Sequence, residues 1–175
     1  LYASRAARQG HAFDFKPPGV FIVYALTRAL FGGGQGAIRI VEVLSMLGTT
    51  WGLVRLSELH LKRRSVGVFA AAIASQIHAQ LDFWHTAQPE SFGGTLTIWG
   101  LVAATRALEA PQASRGSYLK RHWKNLARWV LSGALFGASG LMKPPLAGVG
   151  AVLVMLVVGR AIWIARSARD PFPKH

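Results

Sequence analysis

The sequence predicts an all-α fold: a multi-spanning helical membrane protein with about five transmembrane helices and one interfacial helix. Of its 175 residues, 51% are hydrophobic and only 15% are charged. The apolar residues cluster in blocks whose lengths approach that of a bilayer-spanning helix. Most of the 20 Lys and Arg residues lie in short segments between these blocks, which is the distribution that orients helices in a membrane.

The net charge of +13 bears on the class of partner. In a soluble protein such a charge would indicate nucleic acid. Here the basic residues follow the loops between apolar blocks, so we predict no nucleic-acid partner. The chain has no cysteine, which excludes disulfides and thiolate metal sites.

Residues 1–36 are predicted to form an extracytoplasmic loop that contains one interfacial helix, Pro17–Phe31. A helix of this size measures about 22 Å, which is short of the ~30 Å hydrocarbon core. The glycines Gly32–Gly34 end it. A short apolar helix of this kind fits a position along the membrane surface.

Residues 37–175 predict five spans joined by short loops, so residues 1–175 form a single transmembrane domain. The positive-inside rule places the two basic loops and the basic tail in the cytoplasm. The outer ends of the helices then carry the remaining polar residues. The predicted spans are Ala37–Leu56, Val66–Trp84, Ser91–Leu108, Trp129–Met142 and Pro144–Ile164.

Two Lys-Pro-Pro motifs, at Lys16 and Lys143, each open an apolar run. Proline disfavours the helical conformation in the preceding residue and suits the first turn of a helix, so both lysines are predicted at helix boundaries. Cations at the ends of apolar helices suit an anionic ligand. The alternative is that both lysines are interfacial anchors with their charges in water.

Other ionisable residues lie on the same predicted outer side. Because ionisable groups at membrane depth are costly, they indicate a functional site by default. Arg39 and Glu42 are spaced i and i+3 and are predicted to pair on one helix face. Glu90 follows Pro89, where an acid at a helix start is also favoured by the helix dipole. The candidate site-lining residues are Asp14, Arg39, Asp82, His85 and Glu90.

His78, Asp82 and His85 stand at i, i+4 and i+7, which places them on one face of a helix. Two imidazoles and a carboxylate are ligands for a divalent metal. The alternatives are polar lining of a cavity and interfacial packing. A divalent metal is therefore the only cofactor that the sequence leaves open.

The order of motifs along the chain resembles that of a known enzyme class. It runs through Phe13–Gly19, Leu30–Gly32, Ala37–Arg39, Trp84–Glu90 and Gly137–Lys143. This order resembles the N-terminal transmembrane part of the polyprenyl-phosphate-sugar-dependent glycosyltransferases of the C-type fold. The nearest are the bacterial relatives of protein O-mannosyltransferases and lipid A aminoarabinose transferases.

The resemblance implies that Lys16 and Lys143 contact the donor phosphate and that Asp14 lines the site. It places the catalytic acid just before Leu1, outside the fragment, which would then be inactive alone. The predicted function is transfer of a hexosyl or pentosyl group from a polyprenyl-phosphate donor to a lipid, protein or glycan acceptor. The resemblance further implies a bacterial inner membrane location, with the site facing outward and membrane lipid around it. The alternative is a transporter or channel module, which also places polar groups in the bilayer.

Overall fold

The computed structural model describes residues 17–80, 88–109 and 118–169. This part of the chain is all-helical, as predicted. Six helices follow one another: α1 (Pro18–Phe31), α2 (Gln35–Leu61), α3 (Arg64–Gln80), α4 (Pro89–Leu108), α5 (Tyr118–Met142) and α6 (Pro144–Arg169).

Proline and glycine set most of the helix boundaries where the sequence predicts them. Prolines occupy the first turns of α1, α4 and α6, where the missing N–H costs nothing and φ is already helical. Gly32 ends α1 with a φ of 85°, a conformation that is open to glycine without strain. Lys143 is the single residue between α5 and α6, as the second Lys-Pro-Pro motif predicts.

Three helices extend well past their predicted bounds, because charged residues continue them beyond their apolar segments. α6 ends at Arg169 instead of Ile164. α2 continues to Leu61 instead of Leu56, and Arg55 pairs with Glu58 within the added turn at 2.9 Å. α5 begins at Tyr118 instead of Trp129, so part of the predicted second basic loop is helical. Lys and Arg are good helix formers, and hydropathy alone does not show where such a helix begins.

Two of the described helices are long and apolar enough to cross a membrane by length and composition, Gln35–Leu61 and Pro144–Ile164. This is fewer than the five spans predicted from the sequence. The 14-residue α1 is apolar but shorter. In α4, ten of its 20 residues are buried against other helices, among them glycines and threonines that lower its hydropathy.

α4 lies at the centre of the bundle and contacts α2, α5 and α6. A Cβ added to Gly100 would lie 3.2 Å from the ring of Phe136. Thr97 and Ser139 hydroxyls hydrogen-bond at 2.7 Å, and the Ser132 hydroxyl donates to the Gly100 carbonyl. Small residues and hydroxyl bonds are how helices associate in lipid.

α3 packs on α2 through a stripe of small residues. A Cβ added to Gly67 would lie 2.6 Å from the Val54 Cα, so the two backbones are in close contact there. Gly67 and Ala71 are buried, and Ala74 and His78 are half-buried along the same face. At the far end of the pair, the Ser57 hydroxyl donates to the Arg63 carbonyl at 2.6 Å.

Candidate functional site

The residues after the first Lys-Pro-Pro motif contact those before the second motif at one end of the bundle. The first turn of α1 packs on the last turn of α5, and an added Cβ at Gly19 would lie 2.7 Å from the Leu141 carbonyl carbon. Val20, the next residue, is 1% exposed. This contact joins the residues that follow Lys16 to the residues that precede Lys143. Lys16 itself lies outside the described residues.

Lys143 pairs with Glu90 at this end of the bundle. The Lys143 N–H donates to the Ser139 carbonyl at 3.0 Å, and its own carbonyl accepts from Leu146 at 2.9 Å. The backbone of Lys143 is therefore bonded into both helices. Its side chain is 45% exposed and that of Glu90 is 50% exposed, so the ion pair lies in contact with solvent.

A second ionic cluster surrounds Glu42, whose side chain is 9% exposed. Arg39 Nη1 lies 3.3 Å from one carboxylate oxygen, as the i, i+3 spacing predicts. His78 Nε2 lies 3.4 Å from the other oxygen. Partial burial, and to a lesser degree the Glu42 carboxylate, raise the pKa of Tyr24 above its ordinary value.

An apolar cavity of about 290 Å³ lies between α1, α2 and α4 and reaches the end of α5. Its position follows from the short α1, which rests on the other helices at this end. Such a volume accepts an aliphatic or isoprenoid chain. The cavity is lined by Val23, Leu26, Leu30, Phe31, Val41, Phe92, Leu96 and Met142, and by the hydroxyl-bearing Thr27, Ser45 and Thr95.

The cavity and the Lys143–Glu90 pair adjoin through shared elements. Met142 lines the cavity and directly precedes Lys143. Phe92 also lines it, two residues after Glu90, and Phe92 and Met142 form the buried core cluster. The arrangement joins an apolar chamber to a charged rim, which fits a ligand with a long apolar part and an anionic head.

With this geometry in place, comparison with known families decides the class of protein. A family model described as dolichyl-phosphate-mannose-protein mannosyltransferase matches residues 15–170. This chain belongs to that family. The match covers all six described helices and begins one residue before the first Lys-Pro-Pro motif. Comparisons with curated proteins and with solved structures give no match.

Membership of this mannosyltransferase family confirms the resemblance seen in the sequence and makes the chain a glycosyltransferase-family membrane protein. Of the predicted site residues, Lys143, Glu90 and Arg39 lie at one end of the bundle. Asp14, Lys16, Asp82 and His85 lie outside the described residues, so their placement stays a prediction.

Among the described residues, no three His, Cys, Asp or Glu side chains gather in a way that could hold a metal, and the predicted metal site stays a prediction. His78 is described and contacts Glu42; its two proposed co-ligands lie outside the described residues. The sequence reasoning missed the His78–Glu42 contact. The signal was present, because His78 ends a small-residue stripe and Glu42 lies inside an apolar run.

Proposed function

We propose that this chain forms the donor-binding region of a membrane glycosyltransferase that takes a sugar from a polyprenyl-phosphate carrier on the extracytoplasmic face. The observation that carries the proposal is the contact of Gly19 with Leu141 and Met142. It brings the start of α1, which follows the first Lys-Pro-Pro motif, to the residues that precede the second motif, beside the apolar cavity. The acceptor is a lipid, protein or glycan hydroxyl or amine.

The carrier phosphate is held by Lys16 and Lys143. Lysine and phosphate form charge-assisted hydrogen bonds, which are stronger than neutral ones. In the described structure Lys143 pairs with Glu90, so the arriving phosphate takes the place of this carboxylate. Glu90 is half exposed and returns to water when it is displaced.

The first isoprene units of the carrier, next to the phosphate, occupy the apolar cavity under α1. Burial of apolar surface contributes about 25 cal/mol per Å², so the chain supplies affinity while the lysines fix the position of the phosphate. The hydroxyls of Ser45 and Thr95 are bonded to each other at 2.6 Å. These two hydroxyls in the cavity wall are therefore already satisfied when an apolar chain enters.

The proposed topology has five spans, α2 to α6, with α1 along the outer surface. Contacts at both ends of the bundle support it. Glu42 meets His78 and Glu90 meets Lys143 at one end, whereas His60 meets Thr105 at the other. α2 and α3 therefore run in opposite directions, whereas α2 and α4 run in the same direction. This is the alternation expected of successive spans, and α6 continues it after Lys143.

Transfer requires a carboxylate base to activate the acceptor, and the resemblance places this acid just before Leu1. Asp14, Asp82, His85 and Arg39 are proposed to line the remainder of the site. The transferred group is a hexose or a pentose, and His78, Asp82 and His85 are the residues that would hold a divalent metal.

The test replaces each lysine in the full-length protein and measures transfer from polyprenyl-phosphate mannose. Lys16→Gln is expected to lower the rate by about tenfold or more, equivalent to about 1.4 kcal/mol. Lys143→Gln should act in the same direction but more weakly. Lys143→Arg keeps the charge and should retain most of the rate.

Lys62→Gln is the matched control, since it removes the same charge at the other end of the bundle, where Lys62 is 75% exposed. It should transfer at the wild-type rate. If Lys16→Gln also transferred at that rate, the lysine would be an interfacial anchor and the phosphate role would be wrong.

A further inference from the structure

The end of the bundle opposite the candidate site carries a strong excess of positive charge. Residues 110–169 contain no Asp or Glu, so α5 and α6 bring no carboxylate to this end. The two carboxylates described there are already in ion pairs. Glu58 contacts Arg55 and Arg64, and Glu109 lies 3.9 Å from Lys62.

Three cations at the junction of α4 and α5 remain without an anionic partner among the described residues: Arg106, Lys124 and Arg128. Arg128 Nη1 donates to the Arg106 carbonyl at 3.1 Å, which holds its guanidinium at the end of α4. That bond uses one of five N–H donors. Arg106, whose carbonyl accepts this bond, brings its own side chain to the same place. Lys124 lies one turn before Arg128 on α5.

A buried acceptor lies beside these cations. The Asn125 Oδ1 is buried and has no hydrogen-bond partner in the described part of the chain. A buried polar atom without a partner costs about 1–3 kcal/mol, so an external donor at this position is favoured. Asn125 and Arg128 are spaced i and i+3 and therefore share one face of α5.

The surroundings are those of a membrane interface. On the opposite face of α5, Trp123 is 65% exposed and Val130 is 63% exposed. Tryptophan is typical of the level of the lipid headgroups. Lys124 directly follows Trp123 and Arg128 lies one turn further along α5, so both lie at headgroup depth, where the available anion is a phospholipid phosphate.

We propose that Arg106, Lys124 and Arg128 bind the phosphate of an anionic phospholipid, and that a hydroxyl of its headgroup donates to Asn125. Phosphatidylglycerol has this chemistry, with one phosphate charge and two headgroup hydroxyls. The site is at the other end of the bundle from the proposed donor site, and it is independent of the transfer reaction.

The experiment follows thermal unfolding of the full-length protein in detergent while short-chain dioctanoyl lipids are titrated. A ligand that binds only the folded state raises Tm with its concentration, which gives an apparent Kd. Phosphatidylglycerol should stabilise the protein, and phosphatidylcholine, which has no net charge, should do so far more weakly. Inorganic phosphate should not reproduce the effect, because it has no tail to hold at the interface.

Each cation near a membrane surface contributes about fivefold in lipid affinity. Lys124→Gln and Arg128→Gln should each weaken phosphatidylglycerol binding by about that factor, and Arg128→Lys should restore most of it. Lys62→Gln is the control, because its charge is already opposed by Glu109. Lys124 is exposed, so its replacement leaves the fold intact.

Phosphatidylmethanol, which carries the same charge without headgroup hydroxyls, tests the role of Asn125. It should bind about fivefold more weakly than phosphatidylglycerol, the value of one hydrogen bond, and Asn125→Leu should remove the difference. Equal affinities of the Lys124, Arg128 and Lys62 variants would overturn the site. Equal stabilisation by inorganic phosphate would overturn its assignment to a lipid.

Discussion

The contact between α1 and α5 predicts that Gly19→Ala separates the two Lys-Pro-Pro motifs. The added methyl carbon would lie 2.7 Å from the Leu141 carbonyl carbon and oxygen and 2.8 Å from the Met142 nitrogen. Ordinary contact begins at 3.4 Å, so α1 must move away from α5 by roughly 0.7 Å. All three atoms are backbone atoms inside a helix, so they cannot rotate aside as a side chain would.

The expected cost follows from the two opposing effects of the substitution. Forcing an extra carbon into a packed contact typically costs about 1–3 kcal/mol. Alanine regains at most about 1 kcal/mol over glycine in a helix, and less in the first turn. The net destabilisation should be about 1–2 kcal/mol, with a Tm lowered by about 2–4 °C for each kcal/mol. Transfer from the lipid-linked donor should fall as well, because the motifs no longer meet.

Gly36→Ala is the matched control for this experiment. Gly36 lies in the first turn of α2, and an added Cβ there meets no atom within 4 Å. The control should be as stable as the wild type or slightly more stable. If Gly19→Ala matched Gly36→Ala in both Tm and transfer rate, the close contact of α1 with α5 would be refuted.

Three further predictions concern packing, the buried carboxylate and topology. Gly93→Ala should lower Tm, because the added Cβ would collide with side chains of α5 and α6. Gly94→Ala is the control and should leave Tm unchanged, since its Cβ meets no atom within 4 Å. Equal Tm values for the two variants would contradict the packing of α4. Glu42→Ala should lower the free energy of unfolding by about 1–3 kcal/mol, measured by thermal unfolding. This is less than the loss of a fully buried ion pair would cost, because the Arg39 side chain is 56% exposed. An unchanged Tm would mean that the cluster does not stabilise the fold. A cysteine at Gln88 should react with an impermeant thiol reagent in intact cells and one at Lys62 should not, and the reverse pattern would invert the topology.

The helices could be predicted from the sequence because their boundaries are local. Proline before α4 and α6 and glycine after α1 act within one or two residues, whatever the rest of the chain does. The extension of α5 back to Tyr118 could not be predicted from hydropathy. When the residues beyond an apolar segment are good helix formers, the helix continues past that segment. The end of the apolar segment then indicates the membrane surface and not the end of the helix.

The candidate site was predictable in its parts but not in its connections. Lys143 and Glu90 were each assigned to the outer side from position and charge. Their contact joins residues 53 positions apart and depends on how α4 and α5 cross. The cavity likewise depends on helix angles, since no single helix encloses it. Sequence periodicity gives the face of a helix, and it does not give the partner of that face.

The Glu42 cluster and the Lys143–Glu90 pair have different physical roles, which follow from their exposure. Glu42 is nearly buried, so removing its arginine and histidine partners would leave a desolvated charge, and the cluster holds α2 and α3 together. The Lys143–Glu90 pair is about half exposed on both sides, and pairs in contact with solvent contribute only about 0–1 kcal/mol to stability. Breaking it therefore costs the fold little, and the negative charge of a phosphate compensates Lys143 in place of the carboxylate. A weak ion pair at the rim of an apolar cavity is thus suited to exchange its carboxylate for the phosphate of a lipid carrier.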